Sequence, residues 1–317
     1  AYTQQEFRAE SRKMLTSVLL RLLAIGKNKP LGAAAFIILL LIVASAFLAD
    51  LIAVHGPNEQ NIPSRLRPPS IEFFFGTDSF GRDTFSRVVH GARISLYVGV
   101  LSMGLSAVIG LVIGTVSGYV GGRLDLAIQR FVDILLAFPS LILALLMVTA
   151  LGPSTQNVLI AVVVAITPQI VRLARSQTLS IKEANYIVAA QAMGATSWRI
   201  IWRHIAPNTL SSVVVQATGY VEQGIVTEAT LSFLGLGIPP PSPSWGRMLQ
   251  EGATGFLEIA PWLTVFPGLA LALTVFGFAL MGDAVRDILD PRQSSQRVKF
   301  DGLPDMHYKD KVQRKTD

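Results

Sequence analysis

The 317 residues are 51 % hydrophobic and only 15 % charged, with a mean hydropathy of +0.49. Soluble chains carry about 25 % charged residues, so this composition excludes an ordinary water-soluble domain and, over most of the length, intrinsic disorder. The net charge of +6 suits cations that flank membrane spans better than a nucleic-acid surface, and the absence of cysteine excludes disulfides, thiolate metal sites and cysteine nucleophiles.

A bilayer core of about 30 Å needs about 20 apolar residues per helix. A polar segment, residues 1–30, precedes a first apolar run at 31–49 that Asp50 closes. That run is longer than the apolar core of a cleaved signal peptide, so it reads as a span. Residues 94–122 carry no charge and predict a second span at 94–120. The uncharged stretch 134–171 is interrupted by Gly152-Pro153-Ser154, a strong breaker, which predicts spans at 131–151 and 155–175 joined by a tight turn. A fifth span at 207–234 carries Glu222 and Glu228, and a sixth covers 259–282. The polar tail 294–317 has no periodicity and is expected to be a flexible end.

The expected architecture is therefore an all-α integral membrane protein, with six transmembrane helices in one domain at 31–293. Twenty-one lysines and arginines fall on the side of the two termini and six on the other. The positive-inside rule then puts both termini in the cytoplasm. Five of the six outer cations, Arg65, Arg67, Arg82, Arg87 and Arg93, crowd into residues 50–93 and run against that trend.

No phosphate-cradling G-x-x-x-x-G-K-[ST] loop, H-E-x-x-H or G-x-S-x-G occurs, and the four histidines are scattered. The chain reads as a non-enzyme that binds no metal or cofactor. The cytoplasmic stretch 183–206 is more informative. Ala184, Ala189, Ala190 and Ala192 favour a helix, and Gly194 is a natural stop. Trp198 and Trp202 with Arg199 and Arg203 predict a second short helix at the membrane surface, before Pro207 opens the next span. On these residues alone, an amphipathic connector and a docking knob are equally good readings.

A carboxylate in mid-span costs about 2.5–3.5 kcal/mol and usually faces a cavity. Glu222 and Glu228 are six residues apart, hence about 120° apart around a helix. One of them lining a solute path, with Glu222 the deeper, competes with a hydrogen-bonded helix contact. Asp78, Arg82, Asp83 and Arg87 have the spacing of a locally paired surface helix. Trp245 and Trp262 are expected as interfacial anchors, and the glycines of 104–122 as sites of close helix packing.

The run Tyr186, Ala189-Ala190, Gly194-Ala195, Arg203-His204 and Pro207-Asn208 resembles the EAA loop of permease subunits in bacterial ABC importers. Gly76–Arg87, Ala137-Phe138-Pro139, Ser232–Gly246 and Gly282–Arg292 resemble the second permease of dipeptide and oligopeptide systems. Aligned on Gly194, the glutamate that names the loop falls at Val188.

The resemblance implies the type I (MetI-like) importer permease fold in a bacterial inner membrane. It implies partners: a second, homologous permease, two ATPase subunits that hold ATP and magnesium, and an extracytoplasmic binding protein. Tyr186, Ala189, Ala190, Gly194, Ala195, Arg203 and Pro207 would belong to a coupling loop seated on an ATPase, with Tyr186, Ala189, Ala190 and Gly194 as its docking surface. Asp78, Arg82, Asp83 and Arg87 would be candidates for contact with the binding protein. Glu222 or Glu228 would meet the ammonium of a peptide. Nickel chelates are an alternative cargo, and a self-sufficient secondary transporter or a membrane-embedded enzyme is a competing class.

Overall fold

A computed structural model describes residues 30–289. The expected N-terminal segment (all but Pro30) and the tail 294–317 lie outside the described residues. Among the described residues eleven α-helices follow one another and there is no strand, only a bridge between Thr77 and Asp83. They are α1 (Pro30–Phe47), α2 (Ala49–Ile52), α3 (Thr84–Val120), α4 (Gly122–Leu136), α5 (Ser140–Leu151), α6 (Thr155–Lys182), α7 (Asn185–Ala192), α8 (Ser197–Ile200), α9 (Ala206–Phe233), α10 (Trp245–Ala253) and α11 (Trp262–Leu289). A π-helical turn, Ile201–Ile205, joins α8 to α9 without a break.

The helices α3, α6 and α11 are long and apolar enough to cross a membrane, and α4 with α5 makes a fourth if the bent pair is one span. The apolar α1 is shorter. Helix α9 has 28 residues but carries Ser211, Ser212, Gln216, Glu222 and Gln223, which dilute its hydropathy.

The span expected at 131–151 is not one straight helix, because α4 and α5 meet at 91°. The break falls at Ala137-Phe138-Pro139. Proline lacks the N–H that an α-helix needs and drives the residue before it out of the helical region, so α5 starts afresh at Ser140. Helix α4 is then tied to α6 by two arginine–carboxylate pairs, Arg175–Asp125 and Arg172–Asp133, both at 2.6 Å. The predicted turn at Gly152–Ser154 is present. Gly152 has φ +86, and the Ser154 hydroxyl caps α6 by accepting from the Asn157 N–H.

Helix α3 starts ten residues before the expected span. Its 37 residues reach about 55 Å at 1.5 Å per residue, well beyond a hydrocarbon core of about 30 Å. Asp83 caps it, its carboxylate accepting from the Phe85 and Ser86 N–H groups. Burial is the main influence on this carboxyl and pushes it above the usual carboxylate range. Asp83→Ala is expected to cost about 1 kcal/mol, read as a lower midpoint of thermal aggregation for the purified complex in detergent. An unchanged midpoint would mean that the cap is not holding this end of α3.

The central contact is between α3 and α6, with α9 packed across both. Gly110, Gly114 and Gly118, four residues apart, face Ile170, Val171–Arg175 and Thr178 on α6. Close packing thus holds for three of the glycines expected to provide it, with Val158, Ala161, Val162, Ile166, Ile170 and Ala174 filling the core behind them. Gly104, Gly121 and Gly122, in contrast, are open, with nothing within 4 Å of an added Cβ. Trp245, in contrast, is not an interfacial anchor. It is 1 % exposed, lies against Gly91 of α3 and donates its indole N–H to the Val88 carbonyl at 2.9 Å.

Candidate functional site

Three regions hold the chemistry singled out in the sequence. At one end of the bundle, residues 76–83 form a tight loop, not the surface helix that the alternating charges predict. Asp78 accepts from its own loop, from the N–H groups of Phe80 and Arg82. Its carboxylate also lies 2.5 Å from Arg82 Nε and 3.7 Å from Arg87 Nε. Glu251 of α10 joins from the far side, 3.2 Å from Arg82 and 3.8 Å from Arg87, and Arg247 lies 3.3 Å from Glu251. Asp78, Arg82, Asp83 and Arg87 are all buried. Asp78, Arg82 and Arg87 fasten this loop to α10 through Glu251, Asp83 caps α3, and the four leave little surface for another protein to touch. Glu251 is not legible in the sequence because its partners Arg82 and Arg87 lie some 160 residues upstream, and Arg247 enters the cluster only through Glu251, one turn along the same helix.

On the opposite side, α7 ends in a Schellman turn. Gly194, at φ +79, donates its N–H to the Gln191 carbonyl, and the Ala195 N–H reaches back to the Ala190 carbonyl. A Cβ at Gly194 would meet nothing within 4 Å, so what demands glycine there is backbone conformation and not crowding.

The loop is seated by Ile187, which is fully buried with Tyr119 at the end of α3 and with Ile200, Ile201 and Ile205. Lys182 Nζ donates to the Tyr119 carbonyl at 2.7 Å and locks the end of α6 to the same point. Ala190 points inward with Ile187, so it does not belong to the outer face on which the sequence reading placed it. Tyr186, Val188, Ala189, Met193, Gly194 and Trp198 are exposed. Ala195 is half-buried against the isoleucine cluster, and Arg203 and Pro207 are exposed at the turn into α9.

The third region lies along α9. Glu222 lines two adjoining cavities, one of about 550 Å³ between α6, α9 and α11, and one of about 500 Å³ reaching α5. The first mixes apolar wall with polar side chains, Gln177, Gln216, Asp283 and Arg286 among them. Glu228 lines neither. It is wholly buried, and its carboxyl accepts from Ser95 of α3 at 3.0 Å and from Ser232 at 2.8 Å. The roughly 120° between the two positions thus separates a cavity wall from a helix–helix contact. Asp283 and Arg286 were legible only as members of a motif. Among the described residues, no group of three or more His, Asp or Glu side chains is placed to hold a metal ion.

Long, largely apolar helices with a partly polar groove between three of them, and a folded loop packed at their end, define a membrane-embedded helical protein with a candidate solute path. Residues 110–295 match the family described as the inner membrane component of binding-protein-dependent transport systems, and residues 27–69 match the N-terminal transmembrane domain of oligopeptide transport permease C.

The chain is 44 % identical to the dipeptide transport system permease protein DppC of Alkalihalophilus pseudofirmus, over 85 % of this chain and 88 % of that protein. It is 40 % identical to the probable D,D-dipeptide transport system permease protein DdpC of Escherichia coli K12, over 86 % and 91 %. To the glutathione transport system permease protein GsiD of Pectobacterium atrosepticum it is 43 % identical, over 83 % and 87 %. The chain belongs to the family of binding-protein-dependent inner-membrane permeases, and it works as one component of a multi-subunit transport system.

Proposed function

We propose that the chain is one permease half of an ATP-driven importer that carries di- or oligopeptides into the cytoplasm. It has six spans, α1, α3, the α4–α5 pair, α6, α9 and α11, with both termini cytoplasmic. A second, homologous permease pairs with it, two ATPase subunits hold ATP and magnesium, and an extracytoplasmic binding protein delivers the peptide. The peptide cargo is supported by relatives whose names specify a dipeptide, a D,D-dipeptide and glutathione, all short peptides.

The observation that carries the reading is the seating of the loop. Ile187 ties α7 both to the inner end of α3 and to the π turn that continues into α9. A push on the exposed face of α7, through Tyr186, Ala189 and Gly194, therefore loads the helix whose side chains line the cavity. From Ile205 to Glu222 is about 25 Å along that rod. Ala190 contributes through its carbonyl in the Schellman turn, Ala195 by closing that turn, and Arg203 and Pro207 by starting α9 at the loop. Val188 puts an apolar side chain at the glutamate position of the loop.

Reconstitution of the chain with its second permease, two P-loop ATPases and binding protein in proteoliposomes is expected to give ATP-dependent uptake of dialanine. Gly194→Asp forces a side chain into a left-handed backbone conformation on the docking face, and uptake is expected to fall at least tenfold while the complex still assembles. Full uptake by Gly194→Asp would remove the coupling role of the loop. Uptake by this chain without the ATPases would replace the whole reading with a secondary transporter.

A further inference from the structure

The cavity between α6, α9 and α11 has an electrostatic character that the importer reading does not require. Helices α9 and α11 cross with their backbones in contact, since a Cβ on Gly282 would come within 3.1 Å of the Gly219 Cα. Two side chains next to this crossing, Glu222 and Asp283, line the same cavity, and Arg286 lies one turn beyond Asp283 on α11. Among the described residues none of these three charges forms an ion pair. Elsewhere in the bundle three acids near helix ends are matched. Asp50 has Arg93, Asp125 has Arg175 and Asp133 has Arg172.

Two carboxylates on the wall of one cavity repel each other, although Asp283 is exposed and Glu222 only half-buried, so water screens part of the repulsion. A cation between them turns that repulsion into attraction. Arg286 gives the same cavity an opposite pole about 5 Å further along the helix. Glutamine side chains from two helices, Gln177 and Gln216, supply neutral donors and acceptors between the poles. A cavity of about 550 Å³ lies within the range of about 300–1,000 Å³ found for small-ligand sites.

We propose that this cavity is a subsite for a zwitterion. Glu222 and Asp283 receive the ammonium group of the solute, and Arg286 faces its carboxylate. The subsite rests on the peptide reading for the identity of the solute, but not for its charge selectivity. It gives the permease a means of its own to prefer free-ended short peptides over neutral or anionic solutes of equal size.

The chain contains no cysteine, so a single thiol can report on the cavity. Ser212, which lines it, is replaced by cysteine in the complete complex, and labelling of this chain is timed with a trimethylammonium and a sulfonate methanethiosulfonate reagent. After correction for their rates with free cysteine, the cationic reagent is expected to react at least tenfold faster. Glu222→Gln and Asp283→Asn should each bring the ratio towards one, and Glu222→Asp should preserve it. Dialanine is expected to slow labelling, and N-acetyl-dialanine is not.

Equal rates with the two reagents would overturn the subsite, as would a bias that Glu222→Gln leaves intact. A cationic bias in a complex that neither takes up dialanine nor is protected by it would overturn the peptide reading while upholding a cation-selective cavity. Dialanine uptake without bias would do the reverse.

Discussion

Replacing Asp78 with alanine is expected to lower the stability of the permease by about 3–5 kcal/mol, the cost of removing one partner from a buried ion pair. The side chains of Arg82 and Arg87 are only 6 % and 2 % exposed, and Asp78 is the carboxylate closest to both. Without it, Arg82, Arg87 and Arg247 are left sharing Glu251, and the N–H groups of Phe80 and Arg82 lose their acceptor. The 76–83 loop then comes away from α10, and Trp245, packed against α3 at the start of the same helix, loses its support.

The control is Asp50, whose side chain is 72 % exposed although it meets Arg93 at 2.8 Å. Hydrogen bonds from Arg93 hold its carboxyl below the usual carboxylate range. Exposed pairs of this kind nonetheless contribute little to stability, and Asp50→Ala is expected to melt with the parent. Detergent-solubilised complexes heated in steps and resolved by size-exclusion chromatography give the order directly. Should Asp78→Ala and Asp50→Ala lose monodispersity at the same temperature, the buried cluster does not hold this end of the bundle.

That cluster shows where reading the sequence by charge stops working. Apolar runs mark where helices lie, because length and hydropathy are properties of consecutive residues, but not where a helix bends or starts, as α4–α5 and α3 show. The Gly152–Ser154 turn and the Gly194 stop are equally local and stand where expected. Counting charges puts the start of the second span at residue 94, after Arg87 and Arg93, whereas α3 begins at Thr84 and also runs through His90. In the structure these side chains reach Glu251, Asp50 and the Pro57 carbonyl, so the helix runs on through them. A helix end and a bilayer edge are different boundaries, and charge marks only the second.

The face of α7 was misjudged at Ala190 for a related reason. Alanine is compatible with either side of a helix, and the inward direction is set by Ile187, one turn before it, which finds its pocket only in the folded loop. Asp283 and Arg286 become site residues only because α9 and α11 touch at Gly219 and Gly282, a contact between segments more than 60 residues apart.

The second large effect is expected at Gly114. A Cβ there would stand 2.5 Å from the Val171 carbonyl oxygen and 2.7 Å from the Ala174 Cβ, both on the packed face of α6. Neither is the end of a flexible side chain, so the helices must part. Gly114→Val is therefore expected to cost at least the upper end of the about 1–3 kcal/mol usual for overpacking. The loss should spread, because α3 and α6 form the main helix contact and α9 rests on both.

Gly104, six residues before the glycine series on the same helix, is open, with nothing within 4 Å of an added Cβ. Gly104→Ala should leave stability unchanged or raise it slightly, since alanine is the better helix former by about 1 kcal/mol. Thermal aggregation midpoints of the two variants, measured on complexes purified in parallel, should therefore move in opposite directions or leave Gly104→Ala at the parent value. A shared downward shift would mean that glycine is needed on α3 for flexibility along its length, and that the contact with α6 is not what fixes the core.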